Sequence, residues 1–235
     1  MKIIAHRGAS GYAPENTISA FKLAVEIGVK AIEFDVQMTK DREIIVHHDY
    51  FLGRTVDGKG LIMNKTLAEL KNLDAGIWFS KEFEGEKIPT LKEVLEVVPE
   101  DIEVYIEIKK LIIDKREIEK EVFRIVSEAG RIENSIFSSF NHECLKLLIG
   151  LYTVKIGVLV SSNLVEPVKY LADNNLNKYS FNQSAAFINE QIVKDMHDAG
   201  LKVLIYTVNE KEIAEQMEEW GVDGIFSNYP DIITK

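Results

Sequence analysis

Two carboxylates stand two residues apart in a short apolar stretch, where Glu33 and Asp35 alternate with apolar side chains in residues 31–37. Successive side chains of a β-strand point to opposite faces, so Glu33, Asp35 and Gln37 share one face of the predicted strand. Two carboxylates that are buried side by side repel each other and resist desolvation. The pattern therefore predicts that one of them is protonated or that a cation neutralises both.

The same alternation recurs in residues 104–109, where Glu107 and Lys109 share one face of another predicted strand. If the two strands are neighbours in a sheet, a third carboxylate joins Glu33 and Asp35. Three carboxylates form a hard oxygen site that suits Ca²⁺ or Mg²⁺ better than Zn²⁺. The alternative is that Glu107 and Lys109 form a buried ion pair, while Glu33 and Asp35 are hydrated at the strand end.

Two histidines, His6 and His48, follow strand-like runs of the sequence. Histidine transfers protons near neutral pH, and the neighbouring Arg7 offers a forked donor for phosphate oxygens. Together with the carboxylates, these residue types indicate cleavage of a phosphoryl ester. In such a reaction a metal polarises the phosphate, Arg7 and Lys109 share its charge, and the histidines move protons.

Short apolar runs alternate with segments of helical period, and these elements must position the reactive side chains. The runs predicted to be strands are residues 3–5, 31–36, 104–108, 135–138, 155–159, 178–181, 202–206 and 224–227. The predicted helices are residues 17–28, 90–98, 115–130, 141–150, 166–174, 189–200 and 210–221. Thr17, Thr90 and Asn141 are expected to cap helix N-termini. His142 and His197 lie in helical segments and are predicted to be surface residues.

Strands that alternate with helices pair in parallel, because each helix returns the chain to the same end of the sheet. Eight such units in this sequence close most simply as a (β/α)₈ TIM barrel, with an open doubly wound sheet as the alternative. No fixed-period repeat, charge run or Pro-rich linker divides the chain, which predicts a single domain of residues 1–235. The reactive side chains are expected at the carboxyl ends of the barrel strands, where active sites form.

A segment of roughly residues 42–88 breaks the alternation, since it begins with a strand-like run and continues with a glycine-rich stretch. Loops of this length in compact domains are usually functional. We interpret the segment as a small insertion after the second strand that lies over the barrel mouth; the alternative is that it only covers a sheet edge. Within it, Trp78 and Phe79 either line an apolar wall of the pocket or pack the insertion onto the barrel.

The composition excludes several classes of function. The net charge is −10, which disfavours binding to nucleic acid or to an anionic membrane. No apolar run is long enough to insert stably in a membrane. Cys144 is the only cysteine, so no intrachain disulfide forms, and the sequence predicts a cytoplasmic protein.

At these residues the sequence resembles the single-domain bacterial glycerophosphodiester phosphodiesterases. The resemblance covers essentially the whole chain, and it is the ordered set of motifs that makes it specific. The motifs are His6-Arg7-Gly8, Pro14-Glu15-Asn16-Thr17, Glu33-Phe34-Asp35, His48-Asp49, Ile88-Pro89-Thr90-Leu91, Glu107-Ile108-Lys109, Ser138-Ser139-Phe140, Tyr206-Thr207-Val208-Asn209 and Gly221-Val222-Asp223-Gly224-Ile225.

The resemblance implies a metal-dependent barrel enzyme that hydrolyses glycerophosphodiesters to glycerol 3-phosphate and an alcohol. By motif match, His6 and His48 are the catalytic acid–base pair. Glu33, Asp35 and Glu107 are the metal ligands for a divalent cation, Ca²⁺ or Mg²⁺. The substrate is a small molecule, and the sequence is compatible with a homodimer without fixing the oligomeric state.

The motifs also suggest which residues bind the substrate, namely Arg7, Lys109 and Tyr206. The family often has Trp where Tyr206 stands and Thr where Ser227 stands, which leads us to expect an altered substrate preference with activity retained. Strand alternation places His47 and His48 on opposite faces. In the family motif the catalytic histidine directly precedes an aspartate, which selects His48 and not His47.

Several alternatives stay open at the level of the sequence. A related barrel phosphodiesterase could act on lysophospholipids or phosphoinositides, and a non-catalytic barrel could bind a polyol phosphate. The attacking group is either a glycerol hydroxyl of the substrate, through a cyclic phosphate, or water. Asn16 is expected to orient the loop behind His6, whereas the role of Glu15 is left open.

Overall fold

The strands of the protein form one sheet in a computed structural model that describes residues 1–232. They are β1 (Lys2–His6), β2 (Ala31–Met38), β3 (Ile44–Val46), β4 (Glu103–Ile108), β5 (Ser135–Ser139), β6 (Lys155–Val160), β7 (Ser180–Ser184), β8 (Lys202–Tyr206) and β9 (Gly224–Ser227). All except β3 run parallel, and β1 pairs with both β9 and β2, so the sheet closes on itself. The predicted (β/α)₈ barrel is confirmed, and the open-sheet alternative is wrong.

Helices connect successive barrel strands and cover the outside of the barrel, except for α2, which packs within the insertion. They are α1 (Ile18–Ile27), α2 (Leu67–Lys71), α3 (Leu91–Val97), α4 (Ile118–Glu128), α5 (His142–Leu151), α6 (Pro167–Asp173), α7 (Glu190–Asp198) and α8 (Lys211–Glu219). Among residues 1–232, no helix has the length and apolar character needed to cross a membrane. Thr17, Thr90 and Asn141 cap α1, α3 and α5 by accepting a hydrogen bond from a backbone N–H, as predicted.

One predicted helix begins later than expected. Residues 115–130 read as helical, but α4 begins at Ile118. The preceding turn is held by Arg116, whose guanidinium donates hydrogen bonds to the carbonyl oxygens of Thr39 at 2.5 Å and Met38 at 3.1 Å. Asp114 accepts a further bond from the same guanidinium at 2.7 Å. These contacts tie the chain to the end of β2 and delay the helix.

The two faces of the barrel strands differ in character, as the alternation predicts. The outward side chains Ile32, Phe34 and Val36 are fully buried in the main core between sheet and helices. A smaller apolar cluster forms a second core and includes Ala31, Tyr105 and further residues of the neighbouring strands, Ile4, Ile136, Leu204 and Phe226. The acidic side chains Glu33, Asp35 and Glu107 follow beyond this cluster, towards the carboxyl ends of β2 and β4.

Strand register brings the predicted reactive side chains side by side. Asp35 on β2 is paired with Glu107 on β4, and Glu33 on β2 is paired with His6 on β1. Neighbouring strands lie about 4.8 Å apart, so these side chains share a small volume. The barrel therefore converts a two-residue spacing within each strand into a cluster across three strands.

The segment between β2 and α3 is partly a continuation of the sheet. Its strand β3 pairs antiparallel with the end of β2, with Val46 opposite Val36. Beyond β3 the segment has an apolar cluster of its own, consisting of Ile45, Leu52, Val56, Ile62, Leu70, Ala75 and Ile88. Trp78 donates an indole hydrogen bond to the Ala75 carbonyl at 2.9 Å, and its ring meets the Phe79 ring at 5.6 Å. Both aromatic residues thus pack within the insertion.

Candidate active site

Three carboxylates converge at the carboxyl ends of β2 and β4. The candidate ligand oxygens of Glu33, Asp35 and Glu107 all lie within 4.8 Å of one another. The three residues are 5%, 0% and 9% exposed, so little water screens their mutual repulsion. The structure therefore brings together the cluster that the alternation predicted.

The repulsion is visible in the pKa values of the three acids. Burial and then the Asp35 charge raise the pKa of Glu107 to about 7, and burial and the neighbouring carboxylates raise that of Glu33 well above its usual range. Burial also opposes ionisation of Asp35, but Arg7 and Lys109 outweigh it and lower its pKa. The site thus favours an added positive charge next to Glu33 and Glu107.

These residues fit a divalent cation on two grounds. Hard carboxylate oxygens are the donors that Ca²⁺ and Mg²⁺ prefer. In addition, the Oδ1 atom of Asp35 is buried and has no hydrogen-bond partner among residues 1–232. A buried acceptor without a donor is unfavourable, and coordination of a cation would satisfy it.

Two basic side chains lie against the carboxylates. Lys109 Nζ is 2.7 Å from Glu107 Oε1 and 3.6 Å from Asp35 Oδ1, and Arg7 Nε is 3.4 Å from Asp35 Oδ2. The buried Glu107–Lys109 ion pair that was considered as an alternative is therefore present, but it is part of the cluster. With Glu33 included, the cluster contains three carboxylates and only two positively charged side chains, Arg7 and Lys109.

His6 lies at the end of β1, and its ring is held by a residue that directly follows β9. Its Nδ1 is 2.7 Å from the Oδ1 atom of Asn228, and its Nε2 is 4.0 Å from Glu33 Oε2. Because an amide oxygen only accepts hydrogen bonds, the Nδ1 atom of His6 carries the proton in this contact. Burial and the Arg7 charge lower the pKa of His6 to about 4.

The turn after His6 is fixed by a close backbone approach at Gly8. Its φ is +81°, and a Cβ atom there would lie 2.7 Å from the carbonyl carbon of Ala20. Any side chain would therefore push α1 away from the turn. Gly8 thus holds the backbone of Arg7, whose N–H donates to Glu33 Oε2 at 3.0 Å.

His48 approaches the carboxylates from the insertion. Its Nδ1 is 2.6 Å from Asp49 Oδ1, which directs Nε2 away from that carboxylate. Burial lowers the pKa of His48, and the Asp35 and Asp49 carboxylates oppose that shift. His48 and His6 both line one pocket, together with the residues Arg7, Glu33, Glu107, Ser138, Phe140, Leu159, Tyr206, Thr207 and Phe226.

His47 does not line this pocket. It is 5% exposed, its Nε2 has no partner in the described part of the chain, and burial lowers its pKa to about 4. The amide of Gln37 explains how the segment is held, because it donates to the carbonyl oxygens of His47 at 2.8 Å and Asp49 at 2.8 Å. The two adjacent histidines therefore have different surroundings, although β3 ends at Val46 and neither histidine lies in the strand that the prediction assumed.

Arg54, in the glycine-rich part of the insertion, bridges two carboxylates, and each of these carboxylates is bonded to a residue that lines the pocket. Its Nε donates to Asp49 at 2.6 Å, and its terminal nitrogens donate to Glu15 at 2.7 and 2.8 Å. Asp49 holds His48, and Glu15 accepts a hydrogen bond from Arg7 at 2.8 Å. Arg54 could not be predicted from the sequence, because it lies in an irregular loop that has no periodic pattern.

Asn16 supports two parts of the site. Its amide donates to Asp35 Oδ2 at 2.8 Å, a contact with the acidic cluster that the sequence did not predict. Its backbone N–H also donates to the Arg7 carbonyl at 3.0 Å, which ties its turn to the first strand end.

Aromatic rings close one side of the pocket. The Tyr206 and Phe140 rings meet edge to face at 5.9 Å. The Tyr206 hydroxyl donates to the Val160 carbonyl at 2.6 Å, so this residue presents its ring and not its hydroxyl as a contact. Phe140 belongs to a recognised motif but had no predicted role. Trp78 and Phe79 are not among the lining residues, so of the two alternatives the apolar wall of the pocket is not observed.

The two histidines predicted to lie on the surface differ from each other. His142 is half-buried, with its nitrogens 2.7 Å from the Tyr170 hydroxyl and 2.9 Å from the Leu159 carbonyl, so that prediction is wrong for it. His197 is exposed and pairs with Asp223 at 2.8 Å. Neither lines the pocket that contains His6.

The closed barrel and the pocket at its carboxyl end define a TIM-barrel enzyme whose site combines an acidic cluster with two imidazoles. A model of the glycerophosphoryl diester phosphodiesterase family matches residues 6–232. The chain therefore belongs to the glycerophosphodiester phosphodiesterase family of phosphoric diester hydrolases.

Individual relatives agree with this membership. A glycerophosphodiester phosphodiesterase of Caldanaerobacter subterraneus subsp. tengcongensis is 41% identical over 98% of this chain and 95% of its own length. A phosphodiesterase of Oleispira antarctica, solved with the product sn-glycerol-3-phosphate, superposes with a TM-score of 0.89 at 35% identity over 100% of this chain and 95% of that one. The Thermotoga maritima glycerophosphodiester phosphodiesterase superposes with a TM-score of 0.79 at 28% identity, over 99% of this chain and 96% of its own.

Proposed function

We propose that the protein hydrolyses glycerophosphodiesters to glycerol 3-phosphate and an alcohol with the help of a divalent cation. One observation carries the proposal: Glu33, Asp35 and Glu107 form a buried cluster, and two of its members, Glu33 and Glu107, line a pocket together with His6 and His48. The family membership and the glycerol phosphate product of the Oleispira antarctica relative support the choice of substrate.

Glu33, Asp35 and Glu107 would hold the cation, Ca²⁺ or Mg²⁺. When bound, such a cation polarises the phosphate and stabilises the charge that develops on its oxygens. Arg7 and Lys109 would contact the same phosphate. Arg7 lines the pocket, and its guanidinium supplies the forked donor that suits phosphate oxygens.

The hydrogen bonds of the two imidazoles suggest their roles. Asn228 accepts from His6 Nδ1, which leaves a lone pair on Nε2 beside Glu33. His6 is therefore the proposed base that takes the proton of the attacking hydroxyl. Asp49 stabilises a protonated His48, which is the proposed acid.

The proton transfers balance for either nucleophile. A bond forms between phosphorus and the attacking oxygen, whose proton passes to His6 Nε2. The bond between phosphorus and the leaving alcohol breaks, and that alkoxide receives the proton of His48. If a glycerol hydroxyl attacks first, water later opens the cyclic phosphate with the histidines exchanging roles. Both routes consume one water for each diester.

The remaining pocket residues fit the glycerol half of the substrate. Tyr206 and Phe140 present ring surfaces, and Tyr206 is proposed to contact the glycerol carbons. Because residues 42–88 contribute His48, Asp49 and Arg54, we propose that the chain acts as one domain with the insertion over the barrel mouth. The cytoplasmic location and a homodimer stay predictions of the sequence.

The decisive experiment measures release of glycerol 3-phosphate from a panel of glycerophosphodiesters, before and after chelation. Activity is expected to disappear with the chelator and to return with Ca²⁺ or Mg²⁺. Release that continues unchanged after exhaustive chelation would overturn the cation requirement. No release from any member of the panel, with either cation present, would overturn the proposed reaction.

A further inference from the structure

An apolar groove lies beside the pocket at the barrel mouth, between the chain that follows β4 and the chain that follows β5. Its apolar and aromatic lining consists of Tyr50, Leu111, Ile112, Ile113, Phe140 and Tyr170. Ile112 is 81% exposed and Ile113 is 70% exposed. A contiguous apolar patch that is this exposed is typical of a surface that binds an apolar partner.

The groove adjoins the pocket at Phe140, which lines both cavities. The pocket has a volume of about 130 Å³ and the open groove one of about 680 Å³. Sites that enclose a whole small molecule usually measure about 300–1,000 Å³. One half of a phosphodiester must therefore lie outside the pocket, and the groove is the adjoining concave surface.

The leaving half is the one that the groove is placed to receive. His48, the proposed acid for the leaving alkoxide, lines the pocket, and Tyr50, two residues further along the chain, lines the groove. A leaving oxygen beside His48 thus has its carbon substituent close to Tyr50. The glycerol half, which carries hydroxyls, is better suited to the polar pocket.

The charges around the groove select a neutral occupant. Lys109 Nζ lies 5.9 Å from the centre of the Tyr50 ring and 5.7 Å from that of Phe140, so both rings already face a cation. Two further charged residues line the groove: Lys110 is paired with buried Glu119 at 2.9 Å, and Glu143 is paired with Lys146 at 3.6 Å. A second cation is therefore disfavoured at these rings, whereas an alkyl or aryl group meets no such repulsion.

We propose that this groove is a subsite for the apolar part of the leaving alcohol, so that the enzyme prefers glycerophosphodiesters of neutral apolar alcohols. The inference rests on the proposed function and names its substrate class. Each methylene that enters such a groove gains part of the transfer free energy of a buried methylene, which corresponds to about a two- to fourfold gain in kcat/KM.

The test uses the ethyl, butyl and hexyl esters of sn-glycerol 3-phosphate, at concentrations at which they remain monomeric. We expect kcat/KM to rise about two- to fourfold per added methylene, and the choline ester to react no better than the ethyl ester. The double variant Ile112→Ser/Ile113→Ser should flatten this dependence, so that the three esters differ less than they do in the wild type. The matched control is Ile213→Ser, an exposed isoleucine on α8 outside the groove.

The outcomes separate this inference from the proposed function. Hydrolysis of the ethyl ester with no dependence on chain length overturns the groove subsite and leaves the phosphodiesterase assignment intact. The subsite is equally wrong if Ile213→Ser flattens the dependence as strongly as the groove variant. A gain confined to ethyl esters that carry a hexyl chain on the glycerol would place the glycerol half in the groove and overturn the assignment. Hydrolysis of no ester overturns both proposals.

Discussion

Two adjacent histidines of similar chemistry occupy different surroundings, and this difference can be measured at the level of single residues. His48 lines the pocket and is hydrogen-bonded to Asp49, whereas His47 is 5% exposed and lies outside the pocket. Both belong to a short segment that the Gln37 amide holds by successive carbonyl oxygens. Substitution of His48 should therefore affect catalysis, whereas substitution of His47 should affect the stability of the fold.

Replacing His48 by Gln should lower kcat for glycerol 3-phosphate release by about 10²- to 10⁴-fold, because general acid catalysis contributes about that much. His47→Gln is the matched control, and its activity per folded molecule should fall less than about tenfold. Circular dichroism and thermal unfolding verify that both variants fold. Equal losses of kcat in the two folded variants would show that the assignment of His48 is wrong.

His47 should instead control the pH dependence of stability. Its pKa is about 4 in the folded protein and about 6.5 when unfolded, so the unfolded state binds more protons between these values. Stability must then be lost as the pH falls from 6.5 towards 4. Between pH 7 and pH 5 this amounts to about 2 kcal/mol for His47.

The variant His47→Phe removes this titration while keeping a ring. Denaturant unfolding at pH 7 and pH 5 should show a drop in stability that is smaller than in the wild type by about 2 kcal/mol. His6, whose pKa is also about 4, contributes to both proteins and cancels in the comparison. An identical drop in both proteins would mean that His47 is not buried in its neutral form.

At the scale of elements, what the sequence predicted well is what repeats along the chain. The alternation in β2 and β4 placed Glu33, Asp35 and Glu107 on one face, and the sheet register then brought them together. Capping residues such as Thr90 were recognised because the cap is formed within one helical turn. These features depend on local geometry, which the sequence expresses directly.

The residues that the sequence did not reveal lie in the connections between elements. Arg54, Phe140 and Asn228 reach the site from irregular segments, and their partners are distant in sequence. Arg54 and Glu15, for example, are 39 residues apart. No periodicity encodes such contacts, because they depend on how the barrel places its loops.

Arg54 therefore provides a prediction that belongs to the insertion as an element. It bridges Asp49 and Glu15, which hold His48 and Arg7, so Arg54→Ala should loosen both and lower kcat by about 10- to 100-fold. KM should change less than kcat, because Arg54 does not line the pocket. Steady-state kinetics on glycerophosphocholine measure both constants.

Two controls distinguish positioning of the site from general destabilisation. Arg124→Ala removes an exposed arginine on α4 that also joins two carboxylates, Glu121 and Glu128, and it should leave kcat unchanged. Added guanidinium should restore part of the activity of Arg54→Ala but should have no such effect on His48→Gln. A wild-type kcat for Arg54→Ala would remove this residue from the support of the site.

For the molecule as a whole, an acidic cluster and an acidic surface must still allow an anionic substrate to bind at the carboxyl end of the barrel. The inner apolar cluster around Tyr105 excludes water below the site, while Glu33, Asp35 and Glu107 lie buried above it. The chain already carries a net charge of −10, so no global field attracts an anionic substrate. Local positive charge from Arg7, Lys109 and an added cation must provide that attraction.

A cation that binds this cluster should therefore stabilise the entire barrel. Binding only to the folded state adds about 2.7 kcal/mol at a free concentration 100 times Kd. For a protein of this size each kcal/mol raises Tm by about 2–4 °C, so Ca²⁺ or Mg²⁺ should raise Tm by about 5–10 °C. Asp35→Asn should abolish that increase, because it removes a ligand charge while keeping the side-chain volume. Asp101→Asn, at an exposed position outside the cluster, should retain it.

Differential scanning calorimetry of the three proteins, with chelator and with each cation, measures these shifts. An equal rise in Tm for wild type and Asp35→Asn would place the cation elsewhere on the molecule, and no rise with either ion would show that the buried carboxylates do not bind one.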